Sequence, residues 1–158
     1  MKILIDKITA KSLDDILELS HAYYTEDSPN RSLDYLSDLY LNNPLGPAMG
    51  CYCYEDEELI GFMALIPVTL SAVLGPRLGY YCVNVLSHPQ HRSRNVFVKL
   101  INVANEFLRN EGSIMIGHPN RNAIPFWKRK KMSFQQDLLP GIIPPNFFAK
   151  AKRVTVRN

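Results

Sequence analysis

Between Leu59 and Asn105 the sequence contains no Asp or Glu, although the same stretch carries Arg77, Arg92, Arg94 and Lys99. An anion approaching those cations therefore meets no competing carboxylate from this segment, and an anionic ligand is expected on the second half of the chain. Other scarcities exclude whole classes. The three cysteines, Cys51, Cys53 and Cys82, are odd in number and show no Cys-x-x-Cys spacing. That argues against a disulfide framework or a zinc knuckle and leaves reduced, buried thiols. His88 and His91 stand three apart without an acid or cysteine pattern beside them, so no metal site is expected. The longest apolar runs are broken by Pro or Gly before reaching bilayer-spanning length, so no membrane partner is expected. The opening Met1-Lys2-Ile3-Leu4-Ile5-Asp6 lacks the apolar core and cleavage site of a signal peptide, which makes a cytoplasmic address the expectation.

What is present suits one domain. The 158 residues, 46% of them apolar, can bury a real core, and a single domain over 1–158 is expected. The net charge of +3 conceals an asymmetry: Met1 to Glu58 holds twelve acids against four Lys or Arg, whereas the remainder holds three against fourteen.

Periodicity orders the elements. Ile3 to Ile8 reads as a strand, and Ser12 as the cap of a helix with Leu13, Ile16, Leu17 and Leu19 on its apolar stripe. After a loop from Thr25 to Arg31, Ser32 caps a second helix with Leu33, Leu36, Leu39 and Tyr40 on one side, stopped by Asn42, Asn43, Pro44 and Gly46. From Met49 the period becomes two. Glu55 to Glu58 is the charged turn of a hairpin that continues through Leu59 to Ile66, and Leu78 to Leu86 is a third strand. Val96, Leu100, Val103, Ala104, Phe107 and Leu108 trace a helix to Gly112, followed by a short strand from Ile114 to Ile116. Asn122 caps a short helix through Lys130, and Phe134 to Leu139 is a last strand. Residues 138–158 form an irregular, Pro-rich segment in which Val154 to Val156 can add an edge strand.

The order β-α-α-β-β-β-α-β-α-β resembles the GCN5-related N-acetyltransferase (GNAT) family from about Ile3 to Leu139. Two local runs carry the resemblance further. Ser87-His88-Pro89-Gln90-His91-Arg92-Ser93-Arg94-Asn95-Val96-Phe97 is similar to the family's V-x-P-x-Y-R-G-x-G-x-G segment, whose amides hold the pyrophosphate of acetyl-coenzyme A. Gly117-His118-Pro119-Asn120-Arg121-Asn122-Ala123-Ile124-Pro125-Phe126-Trp127 is similar to the N-x-x-A-x-x-x-Y run after the fifth strand. The implied fold is α/β of the α+β kind, a mixed, mostly antiparallel sheet flanked by helices. The implied reaction is transfer of an acetyl or similar acyl group from acetyl-coenzyme A to an amine of unknown acceptor by direct attack.

The resemblance implies that Val85, Ser87, Arg92, Ser93, Arg94, Asn95, Val96 and Asn120 bind the coenzyme, in a cleft where the fourth and fifth strands splay. The family's glycine or alanine positions are here Ser93, Asn95 and Phe97. Asn tolerates a left-handed backbone and Ser is small, whereas Phe97 fits only with its ring turned into the core. Trp127 stands where the family often has a proton-donating tyrosine, and indole cannot serve as that acid. His118, whose imidazole can change charge near neutral pH, is the first candidate base, with Tyr81 and Cys82 as further catalytic candidates and Tyr80 as another donor. Glu26, Asp27 and Asp34 would border the acceptor and suit a cationic amine.

Two alternatives stay open: a GNAT-fold transferase using another donor on nucleic acid, and a non-catalytic binding module. Lys128-Arg129-Lys130-Lys131 with Lys150, Lys152, Arg153 and Arg157 could meet nucleic acid, but the simpler role of the first four is to sit at a helix C-terminus, so nucleic acid is not the favoured partner. A homodimer is compatible with the sequence.

Overall fold

The computed structural model describes residues 1–71, 75–121 and 123–129, except the side chains of residues 92–94, 126 and 129. The Asn122 cap, the strand expected from Phe134 to Leu139, the segment 138–158 and the basic residues from Lys130 onward lie outside the described residues. The elements in chain order are β1 (Lys2–Lys7), α1 (Ala10–Tyr23), α2 (Leu33–Leu41), β2 (Met49–Glu55), β3 (Glu58–Leu70), β4 (Arg77–Ser87), α3 (Val96–Asn110), β5 (Met115–Gly117) and α4 (Ile124–Arg129), with short 3-10 turns at Pro29–Arg31 and Pro89–Arg94. The chain divides into two compact units, Met1–His118 and Pro119–Asn158.

The first unit is built on a five-stranded sheet in the order β1-β2-β3-β4-β5. The first four strands pair antiparallel, while β5 runs parallel to β4. A parallel neighbour needs a crossover, which α3 supplies. This is the mixed, mostly antiparallel α/β sheet that the pattern implied. Leu59 through Pro67 of β3 are all buried, as expected for a strand covered on both faces. On one face Leu13, Ile16 and Leu19 of α1 and Leu36 and Tyr40 of α2 share a core with Tyr52, Phe62, Ala64 and Leu86. On the other lies α3, whose buried Val96, Leu100, Ile101, Ala104 and Leu108 follow a helical period.

The helix ends have specific causes. Thr9, not Ser12, is the N-cap of α1: its side chain accepts from the Ser12 amide while the Ser12 hydroxyl accepts from the Thr9 amide. The two hydroxyls form a reciprocal box three residues apart, and the expected cap is its inner half. Ser32 caps α2 by accepting from the Tyr35 amide. Leu33, in the first turn of α2, is exposed and departs from the apolar stripe expected of it. At the other end of α3, Gly112 has φ +59°, and the amides of Ser113 and Gly112 donate to the carbonyls of Leu108 (2.9 Å) and Arg109 (3.2 Å). That left-handed closure is what glycine permits at low cost.

One glycine sets the seat of α3. A Cβ on Gly61 would overlap Val96 Cγ1 and lie 3.4 Å from Leu100 Cδ1 and from Cys53 Cβ. The first turn of α3 thus rests on bare backbone of β3. Gly61→Ala is expected to cost about 1–3 kcal/mol by overpacking, read as a lower urea midpoint. Combining it with Val96→Ala should restore part of that loss, and a strictly additive double mutant would contradict the contact.

Candidate active site

The edge of β4 changes character along its length. Its pairing with β5 covers Tyr80↔Met115, Tyr81↔Ile116 and Cys82↔Gly117, whereas β4 itself continues to Ser87. From Val83 to Ser87 the side of β4 that faced β5 has no strand partner among the described residues. Val85 and Ser87 lie on this free stretch, both half-buried. On its other side β4 pairs Phe62↔Leu86 and Ala64↔Val83, so Asn84 and Val85 together stand opposite Met63. This bulge turns at Asn84, whose φ is +49°. Asn occupies the left-handed region more readily than most residues, which is why the bulge can exist without glycine.

The Asn84 side chain is saturated with partners. Its Nδ2 donates to the Tyr40 hydroxyl (2.6 Å) and to Asn30 Oδ1 (2.8 Å), while its Oδ1 accepts from the Tyr24 hydroxyl (3.0 Å). Tyr24 ends α1, Asn30 lies in the 3-10 turn and Tyr40 is on α2, so one carboxamide ties the whole helical loop to the bulge. Burial raises the Tyr40 hydroxyl well above its ordinary pKa, against the lowering effect of the Asn84 contact. Burial, with Tyr23 and Tyr35 nearby, pushes Tyr24 up to about 12. Both hydroxyls stay protonated at neutral pH. The same loop is braced by Arg31, whose guanidinium donates to the carbonyls of His21 (2.9 Å) and Tyr24 (3.0 Å) at the end of α1. A cation there also complements the helix dipole.

Where β4 and β5 part, the structure joins two of the expected catalytic residues. The Tyr81 hydroxyl and His118 Nδ1 are 2.7 Å apart in a hydrogen bond whose direction depends on the imidazole tautomer. Tyr81 is half-buried and His118 exposed. Cys82, next to Tyr81, behaves differently: burial pushes its thiol up to about 12. It stays protonated at neutral pH. Tyr80 is buried with its ring packed edge-on against Phe107, 5.4 Å between centroids.

Beyond Ser87 the chain enters the 3-10 turn Pro89–Arg94 and then Asn95 at φ +55° and ψ +29°, the N-cap of α3, whose side chain makes no capping bond. The backbone of Arg92, Ser93 and Arg94 lies in this turn. The start of α3 is a region of positive potential, to which the Asn95 side chain contributes no capping bond. Val96 is buried against the sheet, and Phe97 is half-buried. Asn95 therefore performs the left-handed step usually given to glycine.

Glu26 and Asp27 in the loop and Asp34 in the first turn of α2 are all exposed. A 2.7 Å hydrogen bond from the Thr25 hydroxyl holds Asp27 below its ordinary pKa. In the second unit, Asn120 Oδ1 accepts from the Ala123 amide at 2.9 Å, and Trp127 lies in α4. Asn84, Tyr24, Asn30 and Gly61 were not among the sequence candidates. Each sits in an ordinary local pattern, and only the long-range pairing gives it a role.

Two outcomes test this geometry. Asn84→Ala strands the buried Tyr40 hydroxyl and keeps an unfavourable φ, so a loss of about 2–4 kcal/mol is expected. Asn84→Gly removes the strain and should lose less, and equal losses in denaturant melts would argue against the bulge. The thiols of Cys51 and Cys82 rise from 9.0 to about 12 on folding, by burial first in each case. As pH climbs through that window the unfolded chain ionises while the folded chain does not, so stability falls. The urea midpoint should drop between pH 8 and about pH 10, with a shallower drop in a Cys51→Ala, Cys82→Ala double variant.

The comparisons agree with this architecture. The family model described as acetyltransferase (GNAT) family matches residues 13–134. No curated protein matches the sequence. Among solved structures, a Trypanosoma brucei acetyltransferase is similar at 16% identity and a TM-score of 0.64, over 87% of this chain and 97% of its own. The aminoglycoside acetyltransferase meta-AAC0020, from an uncultured soil metagenomic sample and in complex with sisomicin, is 13% identical with a TM-score of 0.65 over 89% and 94%. Glucosamine-6-phosphate N-acetyltransferase from Arabidopsis thaliana is 11% identical with a TM-score of 0.64 over 90% and 99%. At these identities the neighbours speak for the fold alone, and the model match over 13–134 speaks for descent: the chain belongs to the acetyltransferase (GNAT) family.

Proposed function

We propose that the protein transfers an acetyl group from acetyl-coenzyme A to an amine by direct attack. The observation that carries this reading is the stretch of β4 beyond Cys82–Gly117, without a strand partner among the described residues on its β5 side, which leads through the left-handed Asn95 into the start of α3. An extended pantetheine can bond to backbone along Val83 to Ser87, and the pyrophosphate fits the turn from Arg92 to Asn95 and the first amides of α3. Arg92 and Arg94 belong to that turn, within a sequence stretch from Leu59 to Asn105 that has no Asp or Glu. Asn120 is the family-implied partner of the pantetheine arm.

In this reading the amine nitrogen attacks the thioester carbonyl carbon while a backbone amide of the bulge polarises the carbonyl oxygen. The new C–N bond forms, the C–S bond breaks, and coenzyme A leaves as a thiolate. Tyr81 delivers the proton to that sulfur and recovers one through His118, which takes the proton released by the amine. The hydrogen bond between them at 2.7 Å supports such a relay. It also offers an acid where Trp127 replaces the family's tyrosine. Burial raises the Cys82 thiol to about 12, which makes it a weaker acid than an ordinary thiol, and this reading leaves it out of the relay.

For the acceptor, the exposed carboxylates Glu26, Asp27 and Asp34 favour a cationic amine. The naming of two neighbours for aminoglycoside and glucosamine-6-phosphate is consistent with a small amine-bearing acceptor. A non-catalytic module is the second reading, and Trp127 is the residue that favours it.

Calorimetry with acetyl-coenzyme A is expected to give saturable binding. Asn95→Gly should retain it, and Asn95→Val should weaken it about tenfold, because a β-branched residue resists the left-handed step. Tyr81→Phe is expected to lower kcat by about 10- to 100-fold with little change in KM for the coenzyme. Absence of binding at millimolar ligand would overturn the transferase reading, and binding without turnover on an amine panel would move it to the module.

A further inference from the structure

The turn of the β2–β3 hairpin carries four consecutive acids, Glu55, Asp56, Glu57 and Glu58. Asp56 and Glu57 both have positive φ, +48° and +71°, a backbone that normally selects Asn or Gly. Glu55 and Glu58 then face each other as a cross-strand pair. Like charges directly opposite destabilise a hairpin, and a cation held by Glu58 would offset that repulsion. Against it, from the start of the 3-10 turn, come two imidazoles. One ligand atom from each of Glu58, His88 and His91 falls within 4.8 Å of the others, and the two rings are 5.4 Å apart.

We propose that Glu58, His88 and His91 bind a divalent late transition metal of the zinc type, clamping the hairpin to the turn that leads into α3. Two imidazoles and one carboxylate are a borderline-soft donor set that suits zinc or its neighbours better than magnesium or calcium. Glu55 completes the arrangement. Its Oε2 lies 3.5 Å from His91 Nδ1, an atom that is buried and has no hydrogen-bond partner among the described residues. Protonated there, His91 can donate to Glu55 and present Nε2 to the metal, the orientation that ligating histidines commonly adopt. His88 Nδ1 presently accepts from the Gln90 amide at a long 3.3 Å. Binding through its Nε2 moves the proton to Nδ1 and forfeits only that weak contact.

The span asks for a modest closure. Bonds of about 2.0–2.1 Å in a tetrahedral site put ligand atoms about 3.3–3.5 Å apart, and Glu58, exposed at the end of the turn, has the freedom to move in. Beside the cluster, a cavity of about 140 Å³ is lined by His88, Glu57 and Glu58 together with Asp15 and Glu18 of α1. It gives a water room to fill the fourth position and adds negative potential for a cation. The site adjoins the proposed coenzyme cradle through the Pro89–Arg94 turn but uses other residues, and its binding is read with no coenzyme present.

The test is titration of tag-free, chelator-stripped full-length protein with ZnCl2 alone, followed by calorimetry and thermal shift. One equivalent is expected to bind with Kd on the order of micromolar or tighter and to raise the Tm. Co2+ should give the visible absorption of a tetrahedral site, and excess Mg2+ should not compete. Glu58→Gln and His91→Asn should each weaken zinc by at least about tenfold, while His21→Ala leaves it unchanged. Absence of saturable binding by the wild type overturns the proposal. So does unchanged affinity in Glu58→Gln, a variant at an exposed hairpin position that keeps the test decisive if His91→Asn fails to fold.

Discussion

The carboxamide of Asn84 is the interaction on which the arrangement of this molecule turns. It sits at a left-handed bulge of β4 and engages Tyr24, Asn30 and Tyr40 at once. Each such bond is worth only about 0.5–1.5 kcal/mol net, but leaving the buried Tyr40 hydroxyl without its partner would cost its desolvation in full. The same residue therefore decides two things. It fixes where β4 stops being regular, and it fixes the height of the α1–α2 loop above that point. Arg31 closes the loop from its other side by covering the carbonyls at the end of α1. A loop so held can carry the exposed acids Glu26 and Asp27 without being ordered by them.

On the opposite face the controlling contact is the absence of a side chain. Gly61 lets Val96 descend onto β3, which seats the first turn of α3 on the sheet. In the family's usual loop, glycines allow close approach of backbone to phosphate. Here Asn95 takes the left-handed step, while the glycine that positions the helix lies in a strand. The half-buried Phe97 is compatible with this seating, in which Val96 rather than Phe97 makes the tight contact with the sheet. Close packing makes such a seat sensitive to a single methyl group.

Much of the fold was legible in the chain. Period-two alternation marked β2, apolar strand-like runs marked β3 and β4, helical spacing marked α1 to α3, and Ser32 and Gly112 marked ends where side-chain chemistry and handedness act locally. The cap of α1 was misread because two hydroxyls three residues apart are equivalent on paper. Leu33 was misassigned because spacing alone does not say whether a first-turn residue meets anything. The site was legible in part. Tyr81 and His118 could be named as residue types, but their 2.7 Å contact depends on β5 lying parallel to β4 in one register. The burial that raises the Cys82 thiol to about 12 likewise comes from the packing of the sheet.

By itself the sequence determined the α/β class, the order of elements, the carboxylate-free stretch and the loop resembling a coenzyme cradle. These are consequences of local spacing, charge and backbone preference, which act over a few residues. The tertiary structure decided the bulge at Asn84, the meeting of Tyr81 with His118, the seat of Val96 on Gly61 and the convergence of His88 and His91 with Glu58. Those partners are separated by many residues along the chain. Strand register and helix docking bring them within a few ångströms, and no local propensity encodes that distance.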